Sequence, residues 1–341
     1  MKTLITGAAG LIGSSVVRAV MADNQEVRAL VLPGEDLRNL KGLDIEIVEG
    51  DLLDPPSLDK ALQGCNKLYQ LAAIYRHWHP KGADFIRRTN IEGSKNILEA
   101  ALKHNIEKVV YTSSISSLGF FKDRPSTEAD YPDLKDCARQ PYRESKFLSE
   151  KIAHQYSSKL PMVIVLPASP IGVRDWVPTP TGRIILDFLN GKMFAYVEAG
   201  INCIDVEDLA TGFVLAEKKG RLGERYILGN HNTFLEDFFK TLSELTGLKP
   251  PSVKIPRMLV RVVAEINERI ADLTKNPPLA AVEQALHLRY NEFVDCSKAV
   301  KELGLPQKDI RIAMLKAVKY YLDTGAVLPE RAKMIQLKNL N

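Results

Sequence analysis

The sequence predicts an α/β fold: a doubly wound parallel sheet joined to a smaller, mostly helical C-terminal part. Three observations predict it. Short apolar runs alternate with helix-period segments through the first half of the 341 residues. Those runs are rich in Val, Ile and Leu with few polar interruptions, as strands covered on both faces are. After residue 167 the alternation gives way to proline-punctuated, largely helical sequence.

The strands are expected at Thr3–Thr6, Val27–Leu32, Ile45–Glu49, Lys67–Leu71, Val109–Ser113 and Met162–Leu166. Helices fill the intervals at Leu11–Ala22, near Leu58–Leu62, at Asp84–His104 and at Tyr142–Ser157. In the third of these, Phe85, Ile86, Ile91, Ile97, Leu98, Ala101 and Leu102 share one face. Pro167, Pro170, Pro178 and Pro180 then crowd a loop before a helix at Gly182–Asn190. Asn202–Asp205, a helix through Glu217, and Arg225–Leu228 look like a return to the sheet. Residues 1–167 are therefore expected to form one unit, rejoined by 201–229. Residues 168–341 are expected to be mostly an interleaved cap. The helix Met258–Leu273 mixes apolar residues with Arg261, Glu265, Glu268, Arg269 and Asp272. It is expected to be a solvated amphipathic cap helix rather than a membrane-surface or partner helix.

Composition excludes several function classes. The formal net charge is only +4, with no Lys/Arg run, so no nucleic-acid partner is expected. Cys65, Cys137, Cys203 and Cys296 lie far apart, which argues for plain thiols in a reducing compartment. No apolar stretch reaches the roughly 20 residues that span a bilayer. Met1 runs almost at once into the strand-like Lys2–Thr6, leaving no room for a leader. A cytoplasmic location is the expectation.

The most informative segment is Thr6-Gly7-Ala8-Ala9-Gly10-Leu11-Ile12-Gly13, which links the first strand to the first helix. One glycine there permits the tight turn, one lets backbone approach a pyrophosphate, and one lets helix and strand pack closely. The free N–H groups of the helix N-terminus then face the phosphates. Gly7, Ala9, Gly10, Leu11, Ile12 and Gly13 are the expected dinucleotide cradle. The spacing is GxxGxxG, and its placement between strand and helix is what gives it weight. Asp51, with Leu52, follows the third strand and could accept from an adenine amino group. Ala72 and Ala73 follow the fourth and leave space for a ribose. At the tip of the second strand stands Leu32, neither acid nor base. A missing acid there leans towards NADP over NAD, with Arg38 as the phosphate partner.

Tyr142 and Lys146 are spaced to share a helix face. A phenol of ordinary pKa about 10 is a poor acid–base at neutral pH, and a nearby ammonium should lower it. A serine hydroxyl from another element can hold the reacting oxygen. The pattern is cheap, and Tyr131–Lys135 repeats it. That copy lies in irregular polar sequence, whereas Tyr142 opens an apolar-periodic helix and follows Tyr111-Thr112-Ser113-Ser114 at a strand end.

With these residues in view, the chain resembles an extended short-chain dehydrogenase/reductase of the NAD-dependent epimerase/dehydratase family. The likeness covers the glycine loop, Gly50-Asp51-Leu52, Ala72-Ala73, Asn90-Ile91-Glu92-Gly93-Ser94, Ser113-Ser114 and Tyr142/Lys146. It extends to Asp205–Ala210, Asp295–Ala299 and Glu302-Leu303-Gly304. The resemblance implies a Rossmann sheet with a substrate-binding cap. It implies Tyr142 as acid–base, Lys146 as its modulator and ribose ligand, and Ser114 as the hydroxyl holding the substrate oxygen. Ser114 is preferred to Ser113 because it stands five residues before Gly119. Asn90 would orient the lysine through water. Thr112, Ser113 and Pro167 would border the cofactor.

The same scaffold supports reduction, epimerisation and dehydration. Leu166-Pro167-Ala168-Ser169-Pro170-Ile171-Gly172 resembles the loop of dihydroflavonol-4-reductase-like members, which favours a carbonyl/alcohol substrate and implicates Ser169. Pro178–Arg183 with Asp187–Gly191 resembles the hopanoid-associated sugar epimerases and implicates Arg183. Tyr75 and Trp78 are the expected apolar wall. A nucleotide-sugar epimerase or dehydratase holding NAD tightly is the alternative, and a non-catalytic nucleotide-binding scaffold the second. His77 and His79 form an i, i+2 pair with no third donor in sight, so no metal site is expected. A homodimer through helices 84–104 and 142–158 is also implied.

Overall fold

The computed structural model describes residues 1–278 and 281–338. Six strands and four α-helices open the chain: β1 (Lys2–Thr6), α1 (Leu11–Ala22), β2 (Glu26–Val31), β3 (Glu46–Glu49), α2 (Pro55–Leu62), β4 (Lys67–Gln70), α3 (Ala83–Lys103), β5 (Lys108–Thr112), α4 (Pro141–Tyr156) and β6 (Met162–Pro167). Then come β7 (Ser169–Ile171), α5 (Pro180–Leu189), β8 (Ala195–Val197), β9 (Gly200–Asp205), α6 (Val206–Lys219) and β10 (Arg225–Leu228). The remainder is β11 (His231–Phe234), α7 (Leu235–Thr246), β12 (Val253–Ile255), α8 (Arg257–Thr274), α9 (Val282–His287), α10 (Ser297–Leu303), α11 (Ile310–Asp323) and α12 (Pro329–Ala332).

The main sheet runs β10-β6-β5-β4-β1-β2-β3, and every pair is parallel. Strand order reverses between β1 and β4, which opens a crevice at their carboxyl ends. β6 is buried at every position, the mark of a strand covered on both faces. Proline at the first or second helical position starts α2, α4 and α5, where its missing N–H leaves no bond unmade.

A second sheet, β11-β9-β7, carries its own apolar core with α5, α7 and α11, built on Ile185, Leu189, Phe238, Phe239, Met314 and Tyr321. Here the structure departs from expectation. Arg225–Leu228 does enter the main sheet, but 202–205 pairs in the small sheet as part of β9. Its neighbour α6 packs instead on α1 and the main sheet. α10 also joins the first core through Ala299 and Leu303, so the C-terminal part is shared between both. Among the described residues, no helix is long and apolar enough to cross a membrane.

Candidate functional site

The crevice is a cavity of about 790 Å³ at the carboxyl edge of the main sheet. Gly7, Ala9, Gly10, Leu11, Ile12 and Gly13 line it, as do Arg38, Asp51, Leu52, Ala72, Ala73, Thr112, Ser113, Ser114, Tyr142, Lys146 and Pro167. Tyr75 and Ser169 line the same cavity towards the small sheet.

The glycines divide their work in a way the structure makes explicit. Gly7 adopts φ +64°, and a Cβ there would stand 3.0 Å from Ala72 backbone. That closeness has a cause: Thr6 Oγ1 accepts from the N–H groups of both Leu71 and Ala72, pinning β4's end to β1. At Gly13 a Cβ would fall 2.0 Å from Gly7 O, so the helix can leave the loop only at glycine. Gly10 is different. Its Cβ would meet only Gly7 O at 3.5 Å, an ordinary contact. The fold does not need Gly10, and a diphosphate approaching the α1 N-terminus would. The residues present therefore fit a dinucleotide.

At the tip of β2, Glu35 Oε2 accepts from Leu32 N at 2.9 Å. Asp36 binds Arg38 through both its backbone N–H and its guanidinium, the latter at 2.6 Å. The guanidinium also lies over the Trp176 ring, 3.3 Å from its centroid. Asn39 ties the glycine loop to the cap by donating to Ala9 O and Arg174 O, each at 3.0 Å. Sequence reading missed Asn39 and Trp176, because their partners are remote in sequence.

On the opposite wall, β5 presents Ser113 and Ser114 to different sides, as strand alternation requires. Ser113 Oγ donates to the buried carboxylate of Glu150, which also accepts from Ser117 at 2.6 Å and pairs with Arg225 at 2.7 Å. Ser113 is thus committed to structure. Ser114 Oγ accepts from Ser116 N at 3.1 Å, and its hydroxyl is near enough to the Tyr142 phenol to favour the phenolate. Lys146 is buried and donates from Nζ to Thr112 O at 2.7 Å, and burial lowers its ammonium to about 8.

Tyr142 corrects one expectation. Its phenol is pushed up, not down. Burial is the main cause, the Ser114 hydroxyl opposes it, and the carboxylates of Glu283 and Glu292 add to it. The phenol is accordingly held as a proton donor. Asn90 is buried between the loop after β4 and α4. It accepts from Ile74 N at 2.7 Å and donates to Ser145 Oγ at 2.9 Å, outside the cavity lining. It joins the substrate-side loop to α4 and makes no contact with Lys146 within hydrogen-bond range. Trp78 and Arg183 do not line the cavity either. Trp78 donates to Asp272 Oδ1 at 3.0 Å, and Arg183 is turned outward near Asp187 at 4.0 Å. Both sit beside lining residues but point to the other side of their turn.

The largest surprise is α9. Glu283 is buried and accepts from Tyr142 N at 3.1 Å and Arg143 N at 2.9 Å, closing the first turn of α4. His77 and His287 approach the same carboxylate at 3.5 and 3.6 Å, and Glu292 pairs with His287 Nδ1 at 2.7 Å. Burial alone would discharge His287, but Glu292 and Glu283 hold it up at about 9. Burial alone would likewise protonate Glu283, yet His287 and His77 bring it down to about 2. His77 stacks edge-on against Tyr142, 5.7 Å between centroids. His79 goes elsewhere, onto Phe85. Donor atoms of His77, Glu283 and His287 lie within 4.8 Å of one another, a set no sequence spacing could assemble. Within it the His287 imidazolium already offsets the Glu283 carboxylate.

Residues 3–229 match the family model described as the NAD dependent epimerase/dehydratase family. This chain belongs to that family. It is 38% identical over 95% of its length, and 95% of the relative's, to a protein named putative dihydroflavonol 4-reductase from Synechocystis sp.. It is 29% identical over 96% of its length to sterol demethylase protein B of Methylococcus capsulatus, all of which is covered. The crystal structure of gox2253 superposes with a TM-score of 0.85 at 37% identity, covering 95% of this chain and 99% of that one. The chain is an NAD(P)-dependent oxidoreductase of the extended short-chain dehydrogenase/reductase type.

Proposed function

We propose that this protein reversibly reduces a carbonyl on a bulky, largely apolar substrate. The observation that carries the reading is a single cavity bordered at one end by the glycine cradle and at the other by Ser114, Tyr142 and Lys146. When bound, the dihydronicotinamide supplies a hydride to the carbonyl carbon. Tyr142 gives its proton to the oxygen as negative charge develops there, and burial keeps that proton in place until needed. Ser114 hydrogen-bonds the same oxygen. Lys146, fixed by Thr112 O, holds the nicotinamide ribose and leaves a positive charge beneath the phenol as it loses its proton. The cavity is also lined by Ile74, Phe85, Ile184 and Ile201, which suit an apolar skeleton. The relative named for sterol demethylation is consistent with that class. The main-sheet core serves as the cofactor domain and the small-sheet core as the substrate cap. A homodimer through α3 and α4 remains part of the proposal, to be read by light scattering.

For the cofactor we favour NAD over NADP. The missing acid at Leu32 points to NADP with Arg38 as its phosphate partner, but the Arg38 guanidinium is engaged by Asp36 and Trp176. Glu35 and Asp36 line the cavity beside Arg38; their carboxylates would repel a 2′-phosphate, whereas a ribose hydroxyl could donate to them. The test is turnover of a hydrophobic ketone with each reduced nucleotide. Stoichiometric loss of NADH, at least about tenfold faster per cofactor concentration than NADPH, is expected. Nucleotide retained through purification with no net NADH consumption would replace reduction by epimerisation.

A further inference from the structure

The helix α8 is turned opposite to its expected orientation. Its apolar positions follow helical spacing as Met258, Val262, Ile266 and Ile270, with Leu259, Val263 and Leu273 beside them. A cap helix should bury that arc. Instead Met258 is 79% exposed, Ile266 56% and Leu273 86%. The buried residues are Ala264 and Ala271 on the other side, small enough to seat the helix closely against α9.

The charges are sorted as well. Each acidic residue of the helix has a partner in the protein. Glu265 pairs with Arg139 at 2.8 Å, Glu268 accepts from Val282 N at 2.6 Å, and Asp272 accepts from Trp78. Of the basic residues, Arg257 donates to Glu198 O at 2.9 Å, whereas Arg261 and Arg269 make no ion pair among the described residues. Arg261 and Arg269 stand one turn either side of Glu265, both exposed, and Lys275 is exposed just past the helix end. The outward surface is thus an apolar strip with the exposed cations Arg261, Arg269 and Lys275 along it. Seven large apolar side chains, Met258, Leu259, Val262, Val263, Ile266, Ile270 and Leu273, stand exposed along it, and contiguous apolar surface of this kind marks an interaction site. It continues towards Phe194 and Val253, 76% and 53% exposed, on or beside the strand pair that leads into α8.

We propose that this face of α8 docks the protein onto an anionic lipid bilayer surface, with the apolar strip in the acyl boundary and Arg261, Arg269 and Lys275 at the headgroups. Pairing with a second copy fits less well. A two-fold contact along the strip would bring these cations towards their own counterparts. The bonds from Asp272 and Glu268 reach Trp78 and α9, so docking sets the rim of the catalytic cavity at the membrane. The proposal does not depend on the reaction catalysed.

The test is flotation of the whole protein with vesicles of phosphatidylcholine alone and of phosphatidylcholine with one-third phosphatidylglycerol. The wild type should float with the anionic vesicles and be released by high salt. Ile266→Glu with Ile270→Glu, and separately Arg261→Glu with Arg269→Glu, should each weaken binding at least about tenfold. Both variants alter exposed side chains, so melting temperature and turnover of a water-soluble ketone should hold. Wild-type protein that stays in the soluble fraction overturns the proposal, as does undiminished flotation of the isoleucine variant. Concentration-dependent self-association that the isoleucine variant abolishes, without vesicle binding, assigns the face to a second copy and also overturns it.

Discussion

Glu283 is the residue on which the geometry of Tyr142 most depends, and replacing it gives a calculable result. Its carboxylate receives the first two backbone N–H groups of α4 at 3.1 and 2.9 Å and stands 3.6 Å from the His287 cation. Charge-assisted hydrogen bonds contribute about 1.5–3 kcal/mol each, and stranding one partner of a buried pair costs about 3–5 kcal/mol. His287 keeps Glu292, so the lower end applies. Glu283→Gln retains one acceptor and should lose about 2 kcal/mol. Glu283→Ala retains none and should lose about 4 kcal/mol. At this chain length each kcal/mol lowers the melting temperature by about 2 °C. Because Tyr142 occupies that first turn, Glu283→Gln should also reduce kcat at least about tenfold, since small misplacements of a reacting group are costly. NADH affinity should stay within about twofold, because the glycine cradle is at the other end of the cavity. Calorimetry, stopped-flow turnover and NADH fluorescence titration read the three quantities. A Glu283→Gln protein that melts with the wild type and turns over normally would refute the clamp.

Three further outcomes follow from the same geometry. Gly13→Ala should cost upwards of about 3 kcal/mol, because its Cβ would overlap Gly7 O at 2.0 Å; Gly10→Ala should fold normally yet bind NADH at least about tenfold more weakly, and thermal melts with titrations separate them. Ser113→Ala should lose about 1 kcal/mol of stability and keep its activity, while Ser114→Ala should keep its stability and lose about 100-fold in kcat. For pH, His287 is raised to about 9, so its contribution is whole below its unfolded value of 6.5 and lost as pH climbs through 9. Glu283 is lowered to about 2, so its contribution is whole above 4.5 and lost as pH falls through 2. Denaturant melts should therefore show a drop on the order of 2 kcal/mol between about pH 6.5 and 9 that His287→Gln removes.

The sequence was most informative where signals are local. The expected helix Leu11–Ala22 and strand 225–228 coincide with the observed elements, because the apolar pattern that marks each lies within the segment. The glycine loop was legible for the same reason. β9 misled because a short apolar run does not say which sheet it joins, and its partners Ser169–Ile171 and His231–Phe234 carry weak strand signals. Trp78 and Arg183 were placed by neighbourhood in sequence, but adjacent side chains on a turn face opposite ways. Tyr142's raised pKa could not be foreseen from Lys146 alone, since burial and the carboxylates of Glu283 and Glu292 come from elements far along the chain. The i, i+4 pair Glu283/His287 was visible on a short helix, though nothing local said that it faces Tyr142. α8 shows the limit of periodicity: it reveals an apolar face and is silent on whether the fold covers it.

The most direct measurement is a single turnover of enzyme-bound NADH with a hydrophobic ketone, comparing wild type with Tyr142→Phe in a stopped-flow instrument. Removal of the phenol oxygen should slow NADH oxidation at least about 1,000-fold while leaving the NADH dissociation constant within about twofold. A Tyr142→Phe enzyme that oxidises NADH within about tenfold of wild type would show that the proton comes from another group and would contradict the account.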